Sequence, residues 1–160
     1  MIRALQPGDD VLYPEFHSHV SGSDRRLRFF SAAPLSERQI FRLTRYDPRE
    51  AVVRAAVGID CGELYGVGRL HRIQGRQGEF AVMVRSDLKG QGLGGLLLRQ
   101  VIERAPSIGV TEVVGLVLPE NTGMRALAEE LGFAIAPDPE ESGLLRASLD
   151  LEPPDHRRAA

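Results

Sequence analysis

The fold is decided by the stretch Lys89-Gly90-Gln91-Gly92-Leu93-Gly94-Gly95, which stands between a strand-like run and a helical run. The stretch contains four of the 17 glycines in the chain. Glycine lets successive backbone N–H groups point into one space, and the free N–H groups at the start of the next helix add to them. The pattern therefore predicts a site for a phosphate or pyrophosphate group, with a plain tight turn as the alternative.

Two common phosphate-binding loops fit this stretch poorly. A Walker loop places its lysine after the glycines, whereas Lys89 precedes them. The segment 90–95 does match the dinucleotide pattern G-x-G-x-x-G. That pattern should follow its strand at once, at the start of a strand–helix–strand unit, but residues 85–89 intervene here. Both readings are therefore disfavoured.

The runs on either side of the loop predict a mixed sheet. Three strand-like runs joined by short turns precede it, at 51–59, 63–73 and 79–85, and they indicate an antiparallel meander. Gly66 and Gly68 weaken the middle strand, or mark a bulge or a close backbone approach. The later runs predict a helix at 93–105, a buried strand at 113–118, a helix at 121–131 and strands at 133–136 and 144–149.

The first fifty residues predict one more strand and two helices. Residues 2–5 read as a strand, and Asp9 or Asp10 would cap a helix that ends at 21–23. Ser36 and Gln39 form a capping box for the second helix. The predicted fold class is therefore α/β (α+β), with a mostly antiparallel sheet of about seven strands and about four helices.

Composition narrows the function classes. A length of 160 residues favours a single domain, placed at 1–151, followed by a flexible tail at 152–160. Cys61 is the only cysteine, so an intramolecular disulfide and a cysteine-based zinc site are excluded. The net charge of −2 gives no reason to expect nucleic-acid binding, and no apolar run is long enough for a membrane span. We expect a cytoplasmic protein with no metal.

The glycine stretch and its surroundings resemble the GNAT N-acetyltransferases. Their loop has a basic residue or glutamine, two residues, glycine, one residue, and glycine or alanine, which segment 89–94 matches in full. Val82-Met83-Val84 looks like the family strand whose backbone pairs with the pantetheine arm of the cofactor. Asn121 opens the later helix, and Leu131-Gly132-Phe133 is the usual ending of that helix.

The resemblance implies the GNAT fold and acetyl-CoA as the co-substrate. It also implies the cofactor-binding residues, which are Val82, Met83, Val84, Lys89, Gly90, Gln91, Gly92, Leu93, Gly94 and Asn121. A backbone N–H on the 82–84 strand would stabilise the oxyanion.

Segments 15–18, 27–31 and 43–47 resemble, more narrowly, the acetyltransferase domain of bacterial protein lysine acetyltransferases. The resemblance implies a protein lysine as acceptor, for example on an acyl-CoA synthetase. Two alternatives stay open, a small-molecule amine acetyltransferase and a non-catalytic acyl-CoA-binding module.

Acetyl transfer to an amine needs a base, because an alkylammonium with a pKa of about 10.4 is protonated at neutral pH. Glu79, expected at the start of its strand, is the candidate, since a glutamate at this place is the base in the resembling enzymes; Glu63 is the alternative. Many relatives carry a tyrosine acid where this chain has Ala128.

A small basic cluster is formed by Arg25, Arg26 and Arg28. The cluster is typical of a solvated face, with substrate docking as the alternative. The sequence leaves open whether Phe29-Phe30 packs in the core or lines the amine entrance.

Overall fold

The computed structural model describes residues 1–30 and 33–151. These residues form one seven-stranded sheet and five α-helices, which confirms the predicted fold class. The strands are β1 (Ile2–Ala4), β2 (Ala51–Val57), β3 (Leu64–Gln74), β4 (Gln77–Val84), β5 (Glu112–Val117), β6 (Ala134–Pro137) and β7 (Leu145–Asp150). The helices are α1 (Tyr13–Ser18), α2 (Gly22–Phe29), α3 (Glu37–Thr44), α4 (Leu93–Glu103) and α5 (Thr122–Glu130). The predicted tail at 152–160 lies outside the described residues.

The strands follow the order β1-β2-β3-β4-β5-β7-β6 across the sheet. Every neighbouring pair is antiparallel except β4 and β5, which are joined through α4 and run parallel. A parallel neighbour needs such a crossover, because a short turn can only reverse the chain. The predicted meander and crossover are therefore both present.

Two hydrophobic cores form, one on each face of the sheet. Phe80 of β4 belongs to the core beneath α4 and α5, which includes Leu98 and Val101. Met83 of the same strand belongs to the other core, which includes Tyr13 and Phe16 of α1. Since neighbouring side chains of a strand point to opposite faces, Glu79 shares the face of Met83.

The glycines of β3 let α4 lie directly on the sheet. A Cβ atom added at Gly68 would stand 3.0 Å from the Leu97 Cβ and 3.2 Å from the Leu97 carbonyl oxygen. These contacts involve atoms close to the helix backbone, so a side chain at position 68 would push the helix away. The structure therefore supports the close backbone approach at Gly68, and the shift of register between β2 and β3 beside Gly66 fits the bulge.

The N-terminal helices differ from the prediction. Asp9 and Asp10 cap no α-helix: they lie in a 3-10 helix over Pro7–Leu12, and α1 begins only at Tyr13. The Asp9 carboxylate accepts hydrogen bonds from Arg3, at 2.7 and 2.8 Å, and the Asp10 carboxylate accepts one from Arg45, at 3.2 Å. The Asp9 charge therefore serves a nearby contact with β1, and the Asp10 charge serves a contact 35 residues away.

Helix α2 was missed by the prediction. Ser21 and Gly22 look like a helix stop, but the Ser21 hydroxyl accepts a hydrogen bond from the Asp24 N–H at 3.1 Å and caps a new helix. The polar residues that were expected to end one helix therefore begin another, because α1 already ends at Ser18. The consequence for the site is large, because α2 carries Arg28, Phe29 and Phe30 to its edge.

Candidate functional site

A cleft opens where β4 and β5 part. The two strands pair only over three positions, from Gln77 opposite Glu112 to Glu79 opposite Val114. Beyond that point β4 stays paired with β3 as far as Val84, and β5 stays paired with β7. The β5-facing edge of β4 therefore has no strand partner from Phe80 onward among the described residues. Its backbone groups are free to pair with an extended, amide-containing ligand.

This cleft leads into a cavity of about 640 Å³. Its walls come from α2, β4, the glycine loop, the start of α4 and the β5–α5 connection. The predicted base and nine of the ten predicted cofactor-binding residues line it, namely Glu79, Val82, Met83, Val84, Lys89, Gly90, Gly92, Leu93, Gly94 and Asn121. Gln91 is exposed in the same loop and is the predicted residue outside the lining.

The glycine loop has the geometry that anion binding requires. Gly90 and Gly92 have φ of 80° and 84°, in the left-handed region that glycine adopts without strain. Gly92 is the N-cap of α4 and provides no side chain to satisfy the first N–H groups of the helix. Those N–H groups and the positive end of the helix dipole are therefore available to a phosphate.

Lys89 at the head of the loop is joined to α2. Its Nζ donates to Asp24 Oδ1 at 2.7 Å, and the Ser86 hydroxyl donates to the other carboxylate oxygen. The Ser21 N–H donates to Ser86 Oγ at 2.8 Å. Burial by itself would raise the pKa of Asp24, but the hydrogen bonds from Lys89 and Ser86 outweigh it, so that pKa lies below its ordinary value. Helix α2 is thus tied to the loop.

Asn121 caps α5 at the other wall. Its side-chain oxygen accepts a hydrogen bond from the Met124 N–H at 3.1 Å, which leaves the amide NH₂ for a ligand. Glu120 beside it pairs with Arg26 of α2 at 3.1 Å. This ion pair joins α2 to the start of α5 across the cavity.

Glu79 stands on the sheet face opposite the glycine loop. It is the third residue of β4 rather than the first, because the strand begins at Gln77. It lies directly across from His71 of β3 and is exposed to the cavity. Within the described part of the chain its carboxylate makes no hydrogen bond or ion pair. The cleft between β4 and β5 therefore connects the glycine loop on one face to the Glu79 carboxylate on the other.

Positive charge surrounds Glu79. Arg28 of α2 lines the cavity and is half-buried, and its guanidinium carbon lies 4.3 Å from the centre of the Phe29 ring. Burial is the main cause that lowers the pKa of Arg28 to about 10. The charge of Arg69 adds to this shift, and the charge of Glu79 opposes it. Burial also lowers the pKa of His71 to about 4, helped by the two arginines, so His71 is neutral at pH 7.

Two candidate groups lie away from this cavity. Glu63, the alternative base, precedes β3 and pairs with Arg85 at 3.2 Å near the far end of β4. Ala128 is fully buried in the core beneath α5, so a side chain at that position points into the core and not into the cavity. Tyr13, Tyr46 and Tyr65 are absent from the cavity lining. The described cavity wall therefore contains no tyrosine acid.

Sequence reasoning left the contribution of α2 open. Arg28, Phe29 and Phe30 all line the cavity, and Phe30 ends the helix with a φ of 60°. The available signal was Ser21 followed three residues later by Asp24, which is a helix-start pattern.

The described residues contain no group of three or more histidine, cysteine, aspartate and glutamate side chains that could hold a metal ion. A helix long and apolar enough to cross a membrane is likewise not found within 1–30 and 33–151.

Comparisons with known proteins agree with this geometry. The profile of the acetyltransferase (GNAT) family matches residues 17–133. The chain is 28% identical over 146 residues to an acetyltransferase of Pseudomonas aeruginosa, covering 89% of this chain and 78% of that protein. It superposes on the crystal structure of the GNAT domain of S. lividans PAT with a TM-score of 0.87 and 26% identity, covering 94% of this chain and 89% of that one.

A shorter similarity concerns a different kind of acceptor. Over 58 residues the chain is 40% identical to an L-methionine sulfoximine/L-methionine sulfone acetyltransferase of Pseudomonas aeruginosa. The matched part is 36% of this chain and 34% of that protein.

Proposed function

This chain belongs to the acetyltransferase (GNAT) family, whose members use acetyl-CoA, and on that premise we propose that it acetylates the side-chain amine of a protein lysine. The observation that carries the proposal is the β4–β5 cleft, which connects the glycine loop to Glu79 through the sheet. An activated acyl group and an amine can therefore meet from opposite faces. We place this reaction in the cytoplasm.

The residues present fit acetyl-CoA. The N–H groups of the 90–94 loop and the charge of Lys89 would hold the pyrophosphate, and the unpaired edge of Val82–Val84 would hold the pantetheine amides. Asn121 offers its amide NH₂ at the opposite wall. When bound, acetyl-CoA supplies an acetyl thioester that an unprotonated amine can attack.

Glu79 would make the amine reactive. A lysine ammonium has a pKa of about 10.4, so at neutral pH it must lose a proton before it can attack. The Glu79 carboxylate faces the cavity and has no partner among the described residues, so it can accept that proton directly or through one water. Since no tyrosine lines the described cavity, the proton for the departing thiol must come from another group or from solvent.

A protein acceptor is supported by the narrower resemblance of segments 15–18 and 27–31 to bacterial protein lysine acetyltransferases and by the likeness to the S. lividans PAT domain. The 58-residue match to the methionine sulfoximine acetyltransferase favours a second candidate, a small amine that is itself an amino acid.

The test is incubation of the purified protein with isotope-labelled acetyl-CoA and a cell lysate, followed by mass spectrometry of both the proteins and the small molecules. Labelled lysines, for example on an acyl-CoA synthetase, are the expected result. Label confined to a small amine would favour the second candidate. Saturable CoA binding without any labelled product would contradict both and indicate a non-catalytic acyl-CoA-binding module.

A further inference from the structure

Among the described residues, Arg28 has no ion-pair partner. Its guanidinium lines the cavity on the face of the sheet that carries Glu79, and it forms no ion pair with any described residue. Its neighbours on α2 differ in this respect: Arg26 pairs with Glu120 at 3.1 Å, and Asp24 is occupied by Lys89 at 2.7 Å. Within residues 1–30 and 33–151, the Arg28 guanidinium contacts the Phe29 ring, which is uncharged.

A second arginine lies behind the first. Arg69 of β3 is 4% exposed, and its guanidinium donates to the Leu43 carbonyl at 3.1 Å and lies 3.3 Å from His71 Nε2. It also donates to the Tyr13 hydroxyl at 3.5 Å. None of these partners carries a negative charge, because burial keeps Tyr13 protonated by raising its pKa and keeps His71 neutral.

The charges on this face therefore do not balance. Arg28 and Arg69 contribute two positive charges, and the groups packed around them add only the Glu79 carboxylate. A charge withdrawn from water is costly unless an opposite charge and hydrogen bonds compensate it. Arg69 is satisfied by the protein, whereas Arg28 faces the open cavity. The described residues supply no further negative charge for Arg28, which leaves a molecule in the cavity as the source that we consider.

We propose that Arg28 binds a carboxylate of the acceptor, next to the amine that Glu79 deprotonates. This inference rests on the proposed function and narrows its acceptor class. A guanidinium matches a carboxylate with two parallel hydrogen bonds, and Glu79 cannot accept the acceptor carboxylate because both are negative. The acceptor thus presents a positive amine to Glu79 and a negative group to Arg28. That pair occurs in a free amino acid and in a lysine with a neighbouring aspartate or glutamate.

Matched acceptor pairs test this inference and distinguish the two sources. One arm compares α-amino acids with their α-carboxamides, and the other compares peptides in which a lysine is flanked by glutamate or by glutamine. The expected result is a kcat/KM about tenfold higher for the carboxylate member of one arm, which corresponds to about 1.4 kcal/mol. The arm that shows this preference identifies the source of the carboxylate.

Variants then assign the preference to Arg28. In R28M the carboxylate and carboxamide members should become equal within about twofold, through a rise in KM for the carboxylate, while R28K should keep part of the preference. R38M removes the same charge from an exposed position on α3 and should keep the full preference. A purely structural role for Arg28 would lower both members of each pair alike.

Two results would overturn the inference. Equal kcat/KM within both pairs for the wild type, or an undiminished preference in R28M, would show that Arg28 binds no acceptor carboxylate, while acetyl transfer itself would still stand. If no acceptor is acetylated, the proposed function fails. Calorimetry would then compare the affinities of the N-acetylated carboxylate and carboxamide members of each pair for the CoA-bound protein. Tighter binding of the carboxylate member, lost in R28M, would support the role of Arg28, and equal affinities would contradict it.

Discussion

Lys89 at the head of the glycine loop donates a hydrogen bond to Asp24 of α2 across 2.7 Å. These two side chains thereby connect the glycine loop to helix α2. The Lys89 side chain is 53% exposed and can therefore also contact a phosphate, while Ser86 still donates to the Asp24 carboxylate.

The charge of Lys89 should therefore count in CoA binding. In K89M we expect the Kd for CoA to rise by about threefold to tenfold, with a weaker dependence on salt, because one phosphate contact is lost. K89R should bind nearly as the wild type does, since the charge is kept. R38M, which removes an exposed charge elsewhere, is the control, and titration calorimetry is the measurement. An unchanged Kd for CoA in K89M would show that Lys89 does not contribute to CoA binding.

Gly92 permits a matched test of the loop. Gly92 and Gly143 have φ of 84° and 85°, and a Cβ atom at either would meet nothing within 4 Å. Alanine at either position should therefore cost a similar amount of stability, about 1–2 kcal/mol, from backbone strain alone. Only G92A should also weaken CoA binding, by about tenfold or more, because its backbone frames the anion site. Equal CoA affinity in G92A and G143A would contradict the assignment.

His17 makes stability depend on pH. Burial, with the charge of Arg25, lowers its pKa to about 4, and its buried Nε2 atom has no hydrogen-bond partner in the described part of the chain. In the unfolded chain the His17 ring binds a proton below about pH 6.5, whereas in the folded chain it binds one only below about pH 4. The free energy of unfolding should therefore fall as the pH drops through this range.

H17F removes that proton and keeps an aromatic ring against Tyr13 and Phe16, whose ring centres lie 5.3 and 5.5 Å from that of His17. Urea unfolding at about pH 7 and about pH 5 should show a smaller loss of stability in H17F than in the wild type. The same loss in both proteins would show that His17 is not the group responsible.

The parts of the site that are local in sequence could be predicted, and the parts assembled from distant segments could not. The glycine loop was predictable because the positive φ of Gly90 and Gly92 is a property of those residues and their neighbours. The group around Arg28 was not, because Arg69 and Tyr13 reach it only through the pairing of β3 and the packing of α1. Position 128 shows the same limit, since its burial depends on how α5 lies on the sheet.

The prediction missed helix α2 for a different reason. Ser21 and Gly22 favour both a helix end and a helix start, and the Ser86 side chain, 65 residues away, supports the second outcome by accepting from the Ser21 N–H. Local propensity therefore left two structures open, and a tertiary contact selected one of them.

In the proposed reaction, Glu79 takes the proton from the acceptor amine. In E79Q we expect acetyl transfer at about pH 7 to fall by about 100-fold or more, while CoA affinity stays as in the wild type. E63Q is the matched control and should keep its turnover, because Glu63 lies outside the cavity.

The pH dependence of E79Q is the most direct measurement. Turnover of E79Q should recover as the pH approaches about 10, where the amine loses its proton without a base. Recovery in E79Q, with little change in E63Q, is the result that the proposed role predicts. If E79Q turns over at about pH 7 as fast as the wild type, with CoA still bound, that result would contradict the role of Glu79 as the base.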